Sequence, residues 1–475
     1  MTPVAGRAAA RRAGARRAPL LMAAGLCLLA GLDAALQLLG LPAPVTSERL
    51  PAVHGVLLVL GFAGTLVALE RAVALGGRLP FLAPALLGTG GLLLLTPVGP
   101  VVPRLLLVAG SAALVALYLR FWQRQPSAAL LAQGAGAVAA LGAALLWLGG
   151  LDVPRMLPWL VAFLVLTIAG ERLELARVGA LTPAAEPTFL ACVAAVLTGV
   201  VTTLMWPAPG TLLLGAALLA LVAWLVVHDV ARRLLRATGL PRFTAACLLA
   251  GYAWLGLAGI LWLLDGPVTE GTGYDAVVHC VFLGFVMSMI MAHAPVILPA
   301  VLRRPLPYHP GLAVAAWLLH LSLAVRVLIG DLRDVRGAWQ LGGALNIAAV
   351  LLFVLTAAAT SVAATRHTVR TPGPASTRPT RTASAGESAS VGEPAPAEQS
   401  AFAGEPAPAA APTPGSDAGA PAGSPSPAPG GASAPARGAA SEPASGEASA
   451  PTRGETAAPA PASSASVSDT PRNPR

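Results

Sequence analysis

No lysine occurs among the 475 residues; all 31 basic residues are arginine. Charged residues of either sign make up 11% of the chain, aromatic residues 5%, and there are four cysteines. So little charge excludes an ordinary water-soluble domain, where about a quarter of residues are charged. Cys27, Cys192, Cys247 and Cys280 stand alone inside apolar runs. They lack the paired spacing of a zinc or iron–sulfur motif and the density of a disulfide scaffold, and read as small packing residues. The net charge of +9 would suit nucleic acid. The arginines, however, sit in short loops between apolar runs, where they set membrane topology, so a nucleic-acid partner is excluded.

What remains is hydrophobic: 55% of residues, with a mean hydropathy of +0.70. This is the composition of an integral membrane protein, an all-α polytopic bundle in contact with the lipid bilayer. Apolar runs long enough to span a bilayer as helices, roughly twenty residues each, fall at 18–40, 51–75, 79–98, 102–122, 128–150, 156–176, 187–206, 210–231, 242–264, 276–302, 310–330 and 340–364. The arginines test this reading. With the N-terminus cytoplasmic, the inside segments carry nineteen arginines and the outside loops five, Arg49, Arg104, Arg155, Arg333 and Arg336. Both termini are thereby predicted to face the cytoplasm of a bacterial inner membrane.

Three regions follow: a basic N-terminus at 1–17, a twelve-helix domain at 18–364, and a tail at 365–475. The basic start followed by an apolar run also resembles a secretory signal, but the run continues past Asp33 without a small-x-small cleavage site. In the tail Ala, Pro, Ser and Gly dominate and GEPAPA occurs twice, at 392–397 and 404–409. Such a segment buries too little apolar surface to offset its ordering entropy and is predicted to be disordered.

Polar groups inside hydrocarbon carry the functional information. The tenth span, HCVFLGFVMSMIMAHAPVILPAV, holds His279 and His293, fourteen residues and about 21 Å apart along a helix. At 100° per residue they lie within about 40° on one face, at opposite depths, and cannot share a metal. The second span runs in the same direction and places His54 at the depth of His279. Two imidazoles at one level on different helices can clamp an iron porphyrin from its two faces, with Gly55, Gly61, Gly64 and Gly284 leaving space. Asp33, in the outer half of the first span, is a candidate to orient a ligand imidazole. The plainer alternative for His54 and His279 is an interfacial role among headgroup water. His320 falls near mid-bilayer, where it needs a protein partner, a metal or a cofactor propionate. His228 and His309 read as interfacial. Glu70 with Arg71 ends the second span and Glu171 with Arg172 ends the sixth. These pairs predict interhelical salt bridges, or a proton entry.

The two Glu-Arg pairs lie 101 residues and four spans apart in matching context, GTLVALERAVAL and LTIAGERLELAR. With the tenth span four further on, this predicts three four-helix modules. His54-Gly55 with its Gly- and Leu-rich continuation, and His279 leading into FLGFVMSMIMAHAPVILPA, resemble the low-spin haem helices of the haem–copper oxidase subunit I superfamily. More narrowly, HGVLLVLGFAGTLVALERAVAL and HCVFLGFVMSMIMAHAPVILPAV are similar to segments of NnrS-type haem- and copper-containing membrane proteins. The resemblance implies a b-type haem held by His54 and His279, with His320 and His293 candidates for a second haem or copper site. It also implies a role in nitric oxide tolerance or electron transfer with a redox partner. The chain departs from the oxidases in having no histidine on the sixth or seventh span and Val277 two residues before His279. No oxygen-reducing centre or proton pump is expected. The alternative class is a cofactor-free transporter of a small solute or lipid using Glu70, Glu171 and His293 as gating groups.

Overall fold

The computed structural model describes residues 3–177 and 181–370. Among these residues the secondary structure is helical throughout. We label the main helices α1 (Pro3–Leu38), α2 (Arg49–Leu75), α3 (Leu79–Leu93), α4 (Val101–Arg124), α5 (Ala128–Leu148) and α6 (Val153–Ala176). The second half comprises α7 (Ala185–Met205), α8 (Pro207–His228), α9 (Leu240–Asp265), α10 (Gly271–Val301), α11 (Pro310–Asp331) and α12 (Arg336–Arg370). Eleven of them are long and apolar enough to cross a membrane. The exception is α3, in place of the span expected at 79–98: its 15 residues extend about 22 Å, short of a hydrocarbon core of about 30 Å. Thr96, Pro97 and Gly99 end it early. The basic segment expected as a separate region at 1–17 is helical from Pro3 and continuous with α1, since its Ala and Arg are good helix formers. The tail expected from 365 begins within α12, and from residue 371 it lies outside the described residues.

Lipid is as apolar as leucine, so the helices associate through close packing rather than hydrophobic collapse. Small residues make the closest approaches. A side chain on Gly136 of α5 would stand 2.7 Å from the Phe163 carbonyl oxygen of α6. One on Gly91 of α3 would stand 2.7 Å from Cys27 Sγ on α1 and 3.0 Å from the Cα of Gly61 on α2. Cys27 is thus the packing residue it reads as, and all four thiols are free.

Burial orders the bundle. The apolar window of α6 is 72% buried and those of α2 and α10 are 61% buried, more than any other span, whereas α7 and α12 reach 28%. The three helices at every fourth place in the chain are therefore the most buried. Three spans also widen into π-helical turns: Leu57–Gly64 in α2, Cys280–Met287 in α10 and Val325–Asp331 in α11. A π turn adds a residue per turn, weakens the regular ladder and is concentrated at functional sites. His54 lies just before the first and His279 immediately before the second. The structural likeness between α2 and α10 is this histidine-then-π pattern, whereas α6 shares only the Glu-Arg end and stays α-helical.

The closeness of α5 to α6 gives a direct test. Gly136→Val forces a side chain into the α6 backbone and is expected to cost at least the roughly 1–3 kcal/mol typical of overpacking, seen as a lower unfolding temperature of the detergent-solubilised protein. An unchanged melting curve would mean the helices do not meet there.

Candidate cofactor site

Polar side chains collect in two layers separated by the length of α10 between His279 and His293. In the first, the Nδ1 of His54 lies 2.9 Å from the Gly31 carbonyl oxygen on α1. The Nδ1 of His279 lies 2.8 Å from the carbonyl oxygen of Asp275, one turn earlier on its own helix. A carbonyl accepts only, so each Nδ1 carries the proton and donates. Neither Nε2 has a hydrogen-bond partner among the described residues, and each is left with its lone pair. Both rings line one cavity and lie within electrostatic reach of each other.

That cavity is bounded by α1, α2, α6, α10, α11 and α12. Its walls are almost wholly apolar, including Leu58, Phe62, Leu157, Leu160, Phe282 and Val350. It is narrow, with a volume of about 100 Å³. The π turns of α2 and α10 form two of its sides, with Leu58, Val59, Phe62, Ala63, Val286 and Met287 among the lining residues.

Asp33 does not orient an imidazole. Its carboxylate accepts from Gln37 Nε2 at 3.0 Å and from the Val45 backbone N–H at 3.1 Å, and so folds the α1–α2 loop. Two residues along a helix turn a side chain by about 200°, so the carbonyl of Gly31 and the carboxylate of Asp33 serve opposite faces. The carboxylate beside a cavity histidine is instead Asp275, with Oδ2 3.3 Å from His279 Nδ1. Asp275 is itself held by Arg326, whose Nε and Nη2 donate at 3.0 and 2.9 Å, and by Trp339 Nε1 at 3.1 Å. Arg326 also lines the cavity, and its Nη1 has no acceptor among the described residues. Asn346 lines it too: its amide nitrogen donates to Ser322 Oγ at 2.6 Å and the Leu319 carbonyl at 3.2 Å, while its buried Oδ1 has no donor.

The second layer contains the Glu-Arg pairs. Arg71 Nη2 bridges Glu171 Oε1 at 2.7 Å and Glu70 Oε1 at 3.2 Å, so the predicted bridge joins α2 to α6. Arg172 is fully engaged elsewhere. Its Nε and Nη2 donate to Asp229 at 2.7 and 2.8 Å, with both side chains buried. Tyr252 and the Ala231 backbone N–H also donate to Asp229. The Nη1 of Arg172 lies 3.2 Å from Nε2 of His293, whose Nδ1 is 2.7 Å from the Met289 carbonyl. His293 thus turns toward α6, while His279 lines the first cavity.

His320 is partnered differently. Trp254 Nε1 donates to its Nδ1 at 3.1 Å, and its Nε2 faces Ser288 Oγ at 3.4 Å. His293 and His320 engage different helices, and among the described residues no group of three or more His, Cys, Asp or Glu side chains could hold a metal ion. His228 stacks on Trp224, with ring centroids 4.6 Å apart, and His309 caps α11 through Gly311.

Asp275, Arg326, Asn346, Asp229 and Tyr252 are the site residues that the sequence reading passed over. Two of them had a signal. Asp275 stands four residues before His279, the spacing of one helix face, and Arg326 is an arginine inside an apolar span, away from both ends. The others become legible only when distant helices meet.

Compared with known families, residues 17–362 match the one described as Domain of unknown function (DUF8744). No curated protein matches the chain.

The Arg172–Asp229 pair carries a stability prediction. Removing one partner of a buried ion pair strands the other charge, at about 3–5 kcal/mol. Arg172→Met and Asp229→Leu should each lower the unfolding temperature sharply, while the double variant should recover much of the loss. Additive losses in that cycle would show that the two groups are not coupled.

Proposed function

We propose that this chain, which belongs to the family described as Domain of unknown function (DUF8744), is an integral membrane protein that binds a b-type haem between His54 and His279. The observation carrying the reading is the shared tautomer: two imidazoles from helices distant in sequence, each tied through Nδ1 to a carbonyl, present unpartnered Nε2 atoms to one narrow apolar cavity. This is the donor set that bis-histidine ligation needs. The walls suit a flat hydrophobic macrocycle, and the free Nη1 of Arg326 offers a cationic donor to one of its carboxylates.

When bound there, haem would supply one-electron chemistry and, if one imidazole leaves, an open position for a diatomic gas. The chain's own residues orient and exclude. Gly31 and Asp275 hold the rings, Asp275 adds negative charge beside His279, and Arg326 with Trp339 locks that carboxylate in place. The apolar walls keep bulk water from the ligand nitrogens. On this reading, with its resemblance to NnrS-type proteins, the protein handles nitric oxide or passes electrons in a bacterial inner membrane, with the arginine-rich ends of its helices cytoplasmic. The reading of a cofactor-free transporter draws on the second layer, where Arg71 and the adjacent Glu171 and Arg172 bring Glu70 and His293 into one polar network.

Spectroscopy separates the two. Full-length protein expressed with ample haem and purified in detergent should show a reduced-minus-oxidised haem band, lost in His54→Ala and in His279→Ala at unchanged helicity. A folded but colourless wild type would overturn the haem reading and leave the transporter. Asp275→Asn keeps the carbonyl that holds His279, so it should retain the band while raising the midpoint potential, because a negative charge beside the ligand is removed.

A further inference from the structure

A second cavity, of about 370 Å³, shares no residue with the first and lies between the N-terminal halves of α9 and α11. Its walls are made by small residues, Ala246 and Cys247 on α9 facing Ala313 and Ala316 on α11, which hold the two helices apart without filling the gap. His320 closes it at the deep end. Trp317, which is 55% exposed, stands at its side, so the cleft borders the lipid-facing surface.

The lip is different in character. Arg242 and Tyr308 border it, and neither side chain forms a hydrogen bond or ion pair among the described residues. The two chain segments leading into these helices carry Arg232, Arg233, Arg236 and Arg242 on one side and Arg303 and Arg304 on the other, all exposed. The acid nearest them in sequence, Asp229, is consumed by Arg172. From 230 to 246 and from 302 to 324 there is no acidic residue at all. Arg242 thus stands at the polar mouth of an apolar cleft with an exposed Trp317 at its side, and the segments leading to that mouth carry five further exposed arginines and no acid.

We infer that this cleft binds an anionic phospholipid, with its phosphate at Arg242 and one acyl chain between α9 and α11. The charge selects the headgroup, because basic residues at a membrane surface attract anionic lipid and a zwitterionic lipid gains little from them. The apolar depth selects a lipid over free phosphate, since a small hydrated ion gains nothing from walls of alanine and tryptophan. The site is independent of any haem, so it stands or falls separately from the preceding proposal.

Native mass spectrometry of the full-length protein in detergent tests it, with phosphatidylglycerol and phosphatidylcholine of identical chains as probes. Phosphatidylglycerol should be retained preferentially. Arg242→Gln, an exposed change, should weaken retention roughly fivefold. Ala313→Phe, which fills the cleft without altering charge, should release the lipid at unchanged helicity, and inorganic phosphate should not displace it. Equal retention of the two lipids, indifference to either substitution, or displacement by phosphate would each overturn the assignment.

Discussion

Two backbone carbonyls, those of Gly31 and Asp275, fix the orientation of the two histidines that line the main cavity. In hydrocarbon an imidazole must spend its N–H on a protein acceptor, because no water is there to take it. Each of these carbonyls takes the Nδ1 proton of a histidine, and that choice leaves Nε2 as a bare lone pair. Had either ring donated from Nε2 instead, its lone pair would point back into a helix and that ring would offer the cavity no acceptor nitrogen. The geometry of the first layer, including the clamp of Arg326 and Trp339 on Asp275, serves to keep that arrangement in place.

The same rule explains why the polar groups fall into layers rather than scattering. A charge buried among apolar helices persists only where an opposite charge and further donors meet it, and Asp229 has Arg172, Tyr252 and the Ala231 N–H. Such pairs are expensive to build and more expensive to break. They pin α6, the most buried helix, to the ends of α2, α8 and α10 on one side, while the histidine cavity occupies the other. The π turns of α2 and α10 follow His54 and His279 along their helices. They give α2 and α10 the extra width that frames the cavity, at the cost of a less regular hydrogen-bond ladder.

Unpaired charge tells a complementary story. The arginines that meet no acid lie at helix ends, where lipid headgroups or water can receive them, and one of them, Arg242, borders an apolar cleft. The bundle thus has two separate cavities, one lined by His54 and His279 and one bordered by Arg242.

The positions of eleven spans and the meeting of His54 and His279 at one cavity were legible in the sequence, because hydropathy and rise per residue are local quantities that a membrane makes nearly one-dimensional. So was the bridge between the second and sixth spans, since adjacent Glu-Arg pairs at matching depths have few other partners. The π turns and the engagement of Asp33 by Gln37 and Val45 were decided by tertiary structure, whereas Asp275 meets His279 through their spacing of four along one helix face. What holds that carboxylate, Arg326 and Trp339 dozens of residues away, depends on helix rotation. No periodicity within a single span encodes that rotation.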